Sequence, residues 1–173
     1  MYMKLSIPPA HQDITDLIFK HHGYIWGGYV RDLIAGVSPN DLDIAISDED
    51  AQAFYEELDA FGYASTDSHT WNKSGSISID IVENDDGAHS EHTIEIVASL
   101  DYDVNGLAYD GERVFVWGNP EYDPMLIVQA IHDRIATPIC PTERRIAKMS
   151  KKGYTISFQS DDLSSSTGMH RDN

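Results

Sequence analysis

Cysteine, basic side chains and long apolar runs are all scarce in this chain. Its 173 residues hold one cysteine, Cys140. A single thiol allows no intramolecular disulfide and no cysteine-based zinc site, and a reducing cytoplasm is the default compartment for such a chain. Lysine and arginine number 12 against 29 aspartates and glutamates, for a formal net charge of −17. A grip on nucleic acid through phosphates needs a basic surface. The composition therefore argues against an extended RNA-binding face, while leaving room for a local basic groove. A solubility adaptation accounts for the acidity without any function. No stretch nears the roughly 20 apolar residues that span a bilayer, and residues 1–9 carry one lysine and no long apolar segment of a signal peptide. These absences predict a cytoplasmic protein with no membrane partner. The length suits one domain with a real core, or a small domain plus an appendage.

What is present falls into alternating helical and extended patterns. Ile14, Leu17 and Ile18 have helical spacing over residues 13–21, with Gly23 placed to end that helix. Tyr24-Ile25-Trp26 reads as a short buried strand, broken by Gly27-Gly28. Residues 29–35 read as a helix closed by Gly36. Leu42, Ile44 and Ile46 then alternate with Asp41, Asp43 and Ala45, the period of a strand with one polar face. Ser47 or Asp48 can cap a helix over 49–61. Ile77, Ile79 and Ile81 alternate again, and residues 93–100 offer a further strand after an acidic loop at 83–92. Residues 107–109 and 114–117 predict a hairpin around Asp110-Gly111. Pro124 opens a helix to 135, and 142–152 form a last helix before Gly153. The Ser/Asp-rich stretch from Gln159 lacks periodicity and reads as a disordered tail. The order predicts an α+β domain with a short C-terminal helical extension, divided as 1–137, 138–157 and a tail at 158–173.

The chemistry concentrates in two segments. Asp41 and Asp43, two apart in a strand, leave the same face and can share a divalent cation. Asp80, in a strand of the same alternation, can bring a third carboxylate. Such hard oxygen ligands suit Mg²⁺, which keeps waters and accepts substrate phosphates. A solvated acidic edge strand would show the same pattern. The preceding Gly27-Gly28 lies between a strand and a helix N-terminus, where missing Cβ atoms let backbone N–H groups approach a phosphate. Arg31 can pair a carboxylate or a phosphate, and Asp32 can either stabilise the first helical turn or join the chemistry. His21, His22, His69, His89 and His92 lack ligand spacing and read as surface residues. Of Trp26, Trp71 and Trp117, only Trp71, in what reads as a polar loop with Asn72 and Lys73, suggests a stacking platform.

The run Gly27-Gly28-Tyr29-Val30-Arg31-Asp32-Leu33-Ile34-Ala35-Gly36, followed by Asp41-Leu42-Asp43, resembles the catalytic head of the bacterial poly(A) polymerase and tRNA CCA-adding enzyme family. That family carries Gly-Gly-x-x-Arg-Asp, a short spacer and Asp-x-Asp. Asp101-Tyr102-Asp103-Val104-Asn105-Gly106-Leu107-Ala108 resembles its Asp-Phe-Thr-Ile-Asn-Ala-Leu-Ala segment. Arg144-Arg145-Ile146 through Gly153-Tyr154-Thr155-Ile156 is similar to its Arg-rich helix ending in Gly-Phe-x-Ile. The resemblance spans about residues 22–156. It implies a polymerase-β-like palm with a mixed sheet, and transfer of a nucleoside monophosphate from an NTP, ATP or CTP, to a hydroxyl with release of pyrophosphate. It further implies Mg²⁺ or Mn²⁺ on Asp41, Asp43 and a third carboxylate, Asp80 or its rival Glu95, and substrate contacts from Gly27, Gly28, Arg31, Asp32, Asp101 and Asn105.

Two departures shape the expectations. Ser99 and Leu100 stand where the family has paired arginines, and the chain ends where its neck, body and tail would begin, so a stand-alone head is expected. The only clustered cations are Arg144, Arg145, Lys148, Lys151 and Lys152. On a helix Arg145 and Lys148 share a face, and they are the candidates to meet the phosphates; a solvated basic stripe is the alternative. The acceptor can be an RNA 3′ end, a small molecule or a protein hydroxyl. A catalytically reduced module that binds a nucleotide or a partner protein is the competing reading.

Overall fold

Alternation in Asp41–Ile46 builds the middle strand of a seven-stranded mixed sheet. The computed structural model describes residues 1–67, 69–83, 100–117 and 123–158. Its helices are α1 (Gln12–Lys20), α2 (Gly28–Ile34), α3 (Asp48–Ala60), α4 (Pro124–Asp133) and α5 (Glu143–Lys151). The strands are β1 (Tyr24–Trp26), β2 (Asp41–Ile46), β3 (Ala64–Ser65), β4 (Thr70–Asn72), β5 (Ser78–Glu83), β6 (Leu107–Tyr109), β7 (Val114–Val116), β8 (Ile135–Ala136) and β9 (Thr155–Ile156). The sheet order is β3-β4-β5-β2-β1-β6-β7, with β8 and β9 forming a separate parallel pair. Among the described strands of the large sheet only β2 and β5 run parallel, and the other neighbours are antiparallel. The α+β class and the C-terminal helix expected from the sequence are therefore present. Among the described residues no helix is long and apolar enough to cross a membrane.

The period of two sorts side chains to opposite sheet faces. Ile25, Leu42, Ile44, Ile46, Ile79, Ile81, Leu107, Val114 and Val116 join a core with Ile14, Leu17 and Ile18 of α1, Val30 of α2, Phe54 and Leu58 of α3 and Ile131 of α4. The helices thus cover one face. On the other lie Asp41, Asp43 and Asp80 and, as a separate apolar cluster, Tyr24, Ala45, Ala108 and Trp117 with Trp26 and Phe115 packed against them. Burying side chains of this size contributes about 1.5–3 kcal/mol each, which makes register slippage of β2 prohibitive.

Several local expectations need correction. The left-handed residue after α1 is His22 (φ 56), not Gly23. Gly23 is instead needed for closeness, since a Cβ there would lie 2.9 Å from Ile18 Cγ2. His21 is buried rather than on the surface, with Nε2 3.1 Å from Glu57 Oε1. Ser47, not Asp48, caps α3, accepting from the Asp50 N–H. Trp71 lies in strand β4 rather than a loop, and one face of its ring stacks on Tyr55 at 5.4 Å and 7°. Helix α4 stops at Asp133 because Arg134 turns left-handed (φ 55), and Ile135 enters β8. Residues 84–99, which include the predicted strand ahead of Leu100 and Glu95, and the tail from 159 lie outside the described residues.

Candidate active site

Asp41 and Asp43 stand at the start of β2, on the face the helices leave open. The β2–β5 register sets Asp43 directly beside Asp80, and the β1–β2 register sets it beside Trp26. These residues line one cavity of about 290 Å³ with Gly27, Gly28, Arg31, Asp101, Asn105, Arg145 and Lys148. Leu100, Tyr102 and Met149 complete the wall. All the sequence-predicted site residues within the described chain, apart from Asp32, therefore meet around a single space. Tyr24 and Trp26 share the period of two that selected the aspartates, and that signal could have placed Trp26 in the site.

Burial pushes the Asp43 carboxyl up to about 7, helped by the charges of Asp41 and Asp80 and opposed by Lys148 and Arg145. A carboxylate held among like charges is stabilised by an added cation. Gly27 makes this crowding possible. Its φ of +69 lies where L side chains rarely go, and a Cβ there would sit 3.2 Å from Asp43 Oδ2. Its N–H is held by the Leu107 carbonyl at 3.0 Å. No group of three His, Cys, Asp or Glu side chains close enough to enclose a metal occurs among the described residues. The donor set fits instead the mode in which Mg²⁺ takes one or two carboxylates and completes its shell with waters and phosphate oxygens.

Behind this wall the motif arginine is fully engaged. Arg31 Nε and Nη2 donate to Asp32 Oδ1 at 2.8 and 2.6 Å, and Nη1 donates to Asn105 Oδ1 at 2.5 Å. Asp32 Oδ2 receives Lys152 Nζ at 2.5 Å. Arg31 and Asp32 are 4% and 3% exposed. Because α2 begins at Gly28, Asp32 lies past the first turn; first-turn stabilisation is not its role. It joins α2 to the end of α5. Arg145, half exposed, pairs with Asp101 at 3.2 Å. Lys148 faces the cavity, where its charge acts on Asp43.

No protein-family model and no curated protein matches the sequence. The fold is nevertheless that of known enzymes. A CCA-adding enzyme in its apo form is 18% identical, with a TM-score of 0.60 over 88% of this chain and 41% of that one. A CCA-adding enzyme complexed with CTP gives 18% and 0.61 over 87% and 40%, and the Thermotoga maritima CCA-adding enzyme complexed with tRNA gives 17% and 0.57 over 88% and 40%. The chain spans about two fifths of the length of these structures and shares the fold of their head domain.

Proposed function

We propose that this chain is a metal-dependent nucleotidyltransferase head that moves a nucleoside monophosphate from an NTP to a hydroxyl and releases pyrophosphate. The observation that carries the reading is the alignment of Asp41, Asp43 and Asp80 beside Gly27 and Lys148 around one cavity. The shared head-domain fold supports it. Asp41 and Asp43 would hold Mg²⁺ or Mn²⁺, with Asp80 alongside. Such ions, when bound, activate an attacking hydroxyl and stabilise a leaving pyrophosphate.

The chain's own groups divide the remaining work. The open backbone at Gly27 and Gly28 admits the phosphates without Cβ obstruction. Lys148 offers a charge-assisted contact to them, and Arg145 joins once it leaves Asp101. Asp80, next to Asp43, would accept the proton of the attacking hydroxyl, with the metal held by Asp41 and Asp43. The fixed Arg31–Asp32–Lys152 network keeps α5, and with it Lys148, against the cavity. The neighbours' complexes include CTP, ATP and tRNA, which makes ATP and CTP the first donors to test and an RNA 3′ end the first acceptor. A small-molecule or protein hydroxyl is the alternative acceptor.

Incubation with labelled ATP or CTP, Mn²⁺ and mixed RNA is the direct test. The reading expects a labelled product that vanishes in the Asp41→Asn/Asp43→Asn variant. Product of equal yield in the double variant overturns it, and nucleotide binding without turnover would replace it by the binding-module reading.

A further inference from the structure

The open sheet face is divided between charge and aromatic surface. Strands β5 and β2 carry Asp80, Asp41 and Asp43, and the adjacent β1, with Trp117 beyond β7, carries Tyr24, Trp26 and Trp117. Trp26 belongs to both regions. It is the cross-strand partner of Asp43, it lines the cavity, and it remains partly exposed whereas Trp117 is 1% exposed. Its ring stands edge-to-face on Trp117, centroids 4.2 Å apart at 83°, and Trp117 is in turn edge-to-face with Tyr24 at 5.2 Å. Ala45 and Ala108, both fully buried, leave room on the sheet for these rings. The result is a rigid aromatic surface immediately ahead of the glycines in sequence and next to the carboxylates in space. Among the described residues the buried indole N–H of Trp26 finds no hydrogen-bond partner. Hydrogen bonding to the described residues therefore does not explain where the ring sits.

We propose that Trp26 is the platform on which the base of the bound nucleotide stacks, making it a substrate-binding residue in addition to the carboxylates and Lys148. The inference rests on the nucleotidyltransferase reading, which places the phosphates at Gly27-Gly28 and Lys148. A base attached to phosphates held there lies within the reach of one nucleotide from residue 26. Stacking on an aromatic ring tolerates every base because each has a π-face. Trp26 therefore supplies nucleotide affinity without base selection. Trp71, away from the cavity wall, and Trp117, buried, do not stand in its place.

Titration calorimetry in Mn²⁺ with ATP and with inorganic tripolyphosphate separates the base from the phosphates. Trp26→Leu is expected to weaken ATP about tenfold and to leave tripolyphosphate unchanged, and Trp26→Phe to keep ATP within about threefold of the parent. In a Trp71→Phe background, which keeps Trp26, ATP quenches the tryptophan emission and tripolyphosphate does not; this readout stands even if Trp26→Leu fails to fold. Unchanged ATP affinity in folded Trp26→Leu, an equal loss of both ligands, or equal quenching by both overturns the platform. A parent that binds neither ligand overturns the nucleotidyltransferase reading itself, a result distinct from any of these.

Discussion

Lys152 and Asp32, 120 residues apart in sequence, meet with Nζ 2.5 Å from Oδ2, and the same carboxylate holds Arg31 through its other oxygen. One buried acid thus neutralises two cations from two helices. Its removal would leave Arg31, 4% exposed, without a carboxylate among the described residues, held by Asn105, Met149 and the Tyr154 ring. Breaking a buried pair in this way costs about 3–5 kcal/mol. Asp32→Ala is expected to lose about that much in urea unfolding, and Lys152→Ala much less, because its side chain is 19% exposed. Equal, small losses in both would mean that the network does not hold α5.

The raised Asp43 pKa makes a signed prediction about pH. The group titrates near 3.8 when unfolded and about 7 when folded. The folded state therefore binds the extra proton between those values, and the stability this contributes is complete below about pH 4 and lost as pH rises through 7. The limiting slope is about 1.4 kcal/mol per pH unit. Asp43→Asn is expected to flatten the fall between pH 4 and 7 in metal-free protein, as read by urea unfolding at several pH values. An unaltered slope would assign the dependence to other groups.

In the proposed site metal and proton would compete for the same carboxylate, so the effect of Mn²⁺ is expected to grow with pH. At about 100-fold Kd a ligand adds about 2.7 kcal/mol, a rise in Tm of about 5–10 °C for a chain of this size. The rise is expected to be larger at pH 8 than at pH 6 and to vanish in Asp41→Asn/Asp43→Asn. A shift that persists in the double variant would place the metal elsewhere.

The two cavity cations on α5 are not equivalent. Arg145 must give up Asp101 before it can meet a phosphate, whereas Lys148 has no ion pair among the described residues. Each charge-assisted contact is worth about 1.5–3 kcal/mol. Replacing both by Ala is expected to weaken NTP binding about a hundredfold or more, with Lys148→Ala taking the larger share and stability little changed. An unaffected double variant would make the stripe a solvated face.

At the glycine pair, position 27 is the sensitive one. Gly27→Ala forces a Cβ to 3.2 Å from Asp43 Oδ2 at φ +69, while a Cβ on Gly28 meets only the end of the Arg31 side chain at 3.4 Å. The strain at 27 is about 1–3 kcal/mol. Gly27→Ala is expected to lower both Tm and Mn²⁺ affinity, and Gly28→Ala to keep the fold. Matching losses in the two variants would remove the special role of the left-handed turn.

Periodicity carried much of this structure. The alternation in β2 and β5 exposed Asp41, Asp43 and Asp80 as one face, and the Gly27 break located the turn beside them. Other elements left no such mark. Strands β3 and β4 are two and three residues long and largely outside the core, so no apolar alternation betrays them. The pair β8–β9 has two residues a side and depends on a left-handed Arg134, a conformation its sequence does not announce. Arg31 carries the charge of a phosphate ligand, yet its partners are Asp32, the next residue, and Asn105 from a distant 3₁₀ turn. Lys152 looked like part of a basic stripe because the acid that claims it lies 120 residues earlier.

The segment carrying α5 is fastened at both ends. Before the helix, the Asp103 N–H donates to the Thr137 carbonyl and the Ile139 N–H to the Asp101 carbonyl; after it, the Thr155 N–H reaches the Arg134 carbonyl and the Ser157 N–H the Ala136 carbonyl. Such a strap cannot swing about a single hinge. Releasing it requires two separated sets of backbone bonds to break together, so nucleotides would enter and leave past the long side chains of Arg145 and Lys148 while the backbone beneath them stays put. Protease digestion should then cut this segment no faster when the cavity is empty than when it is filled.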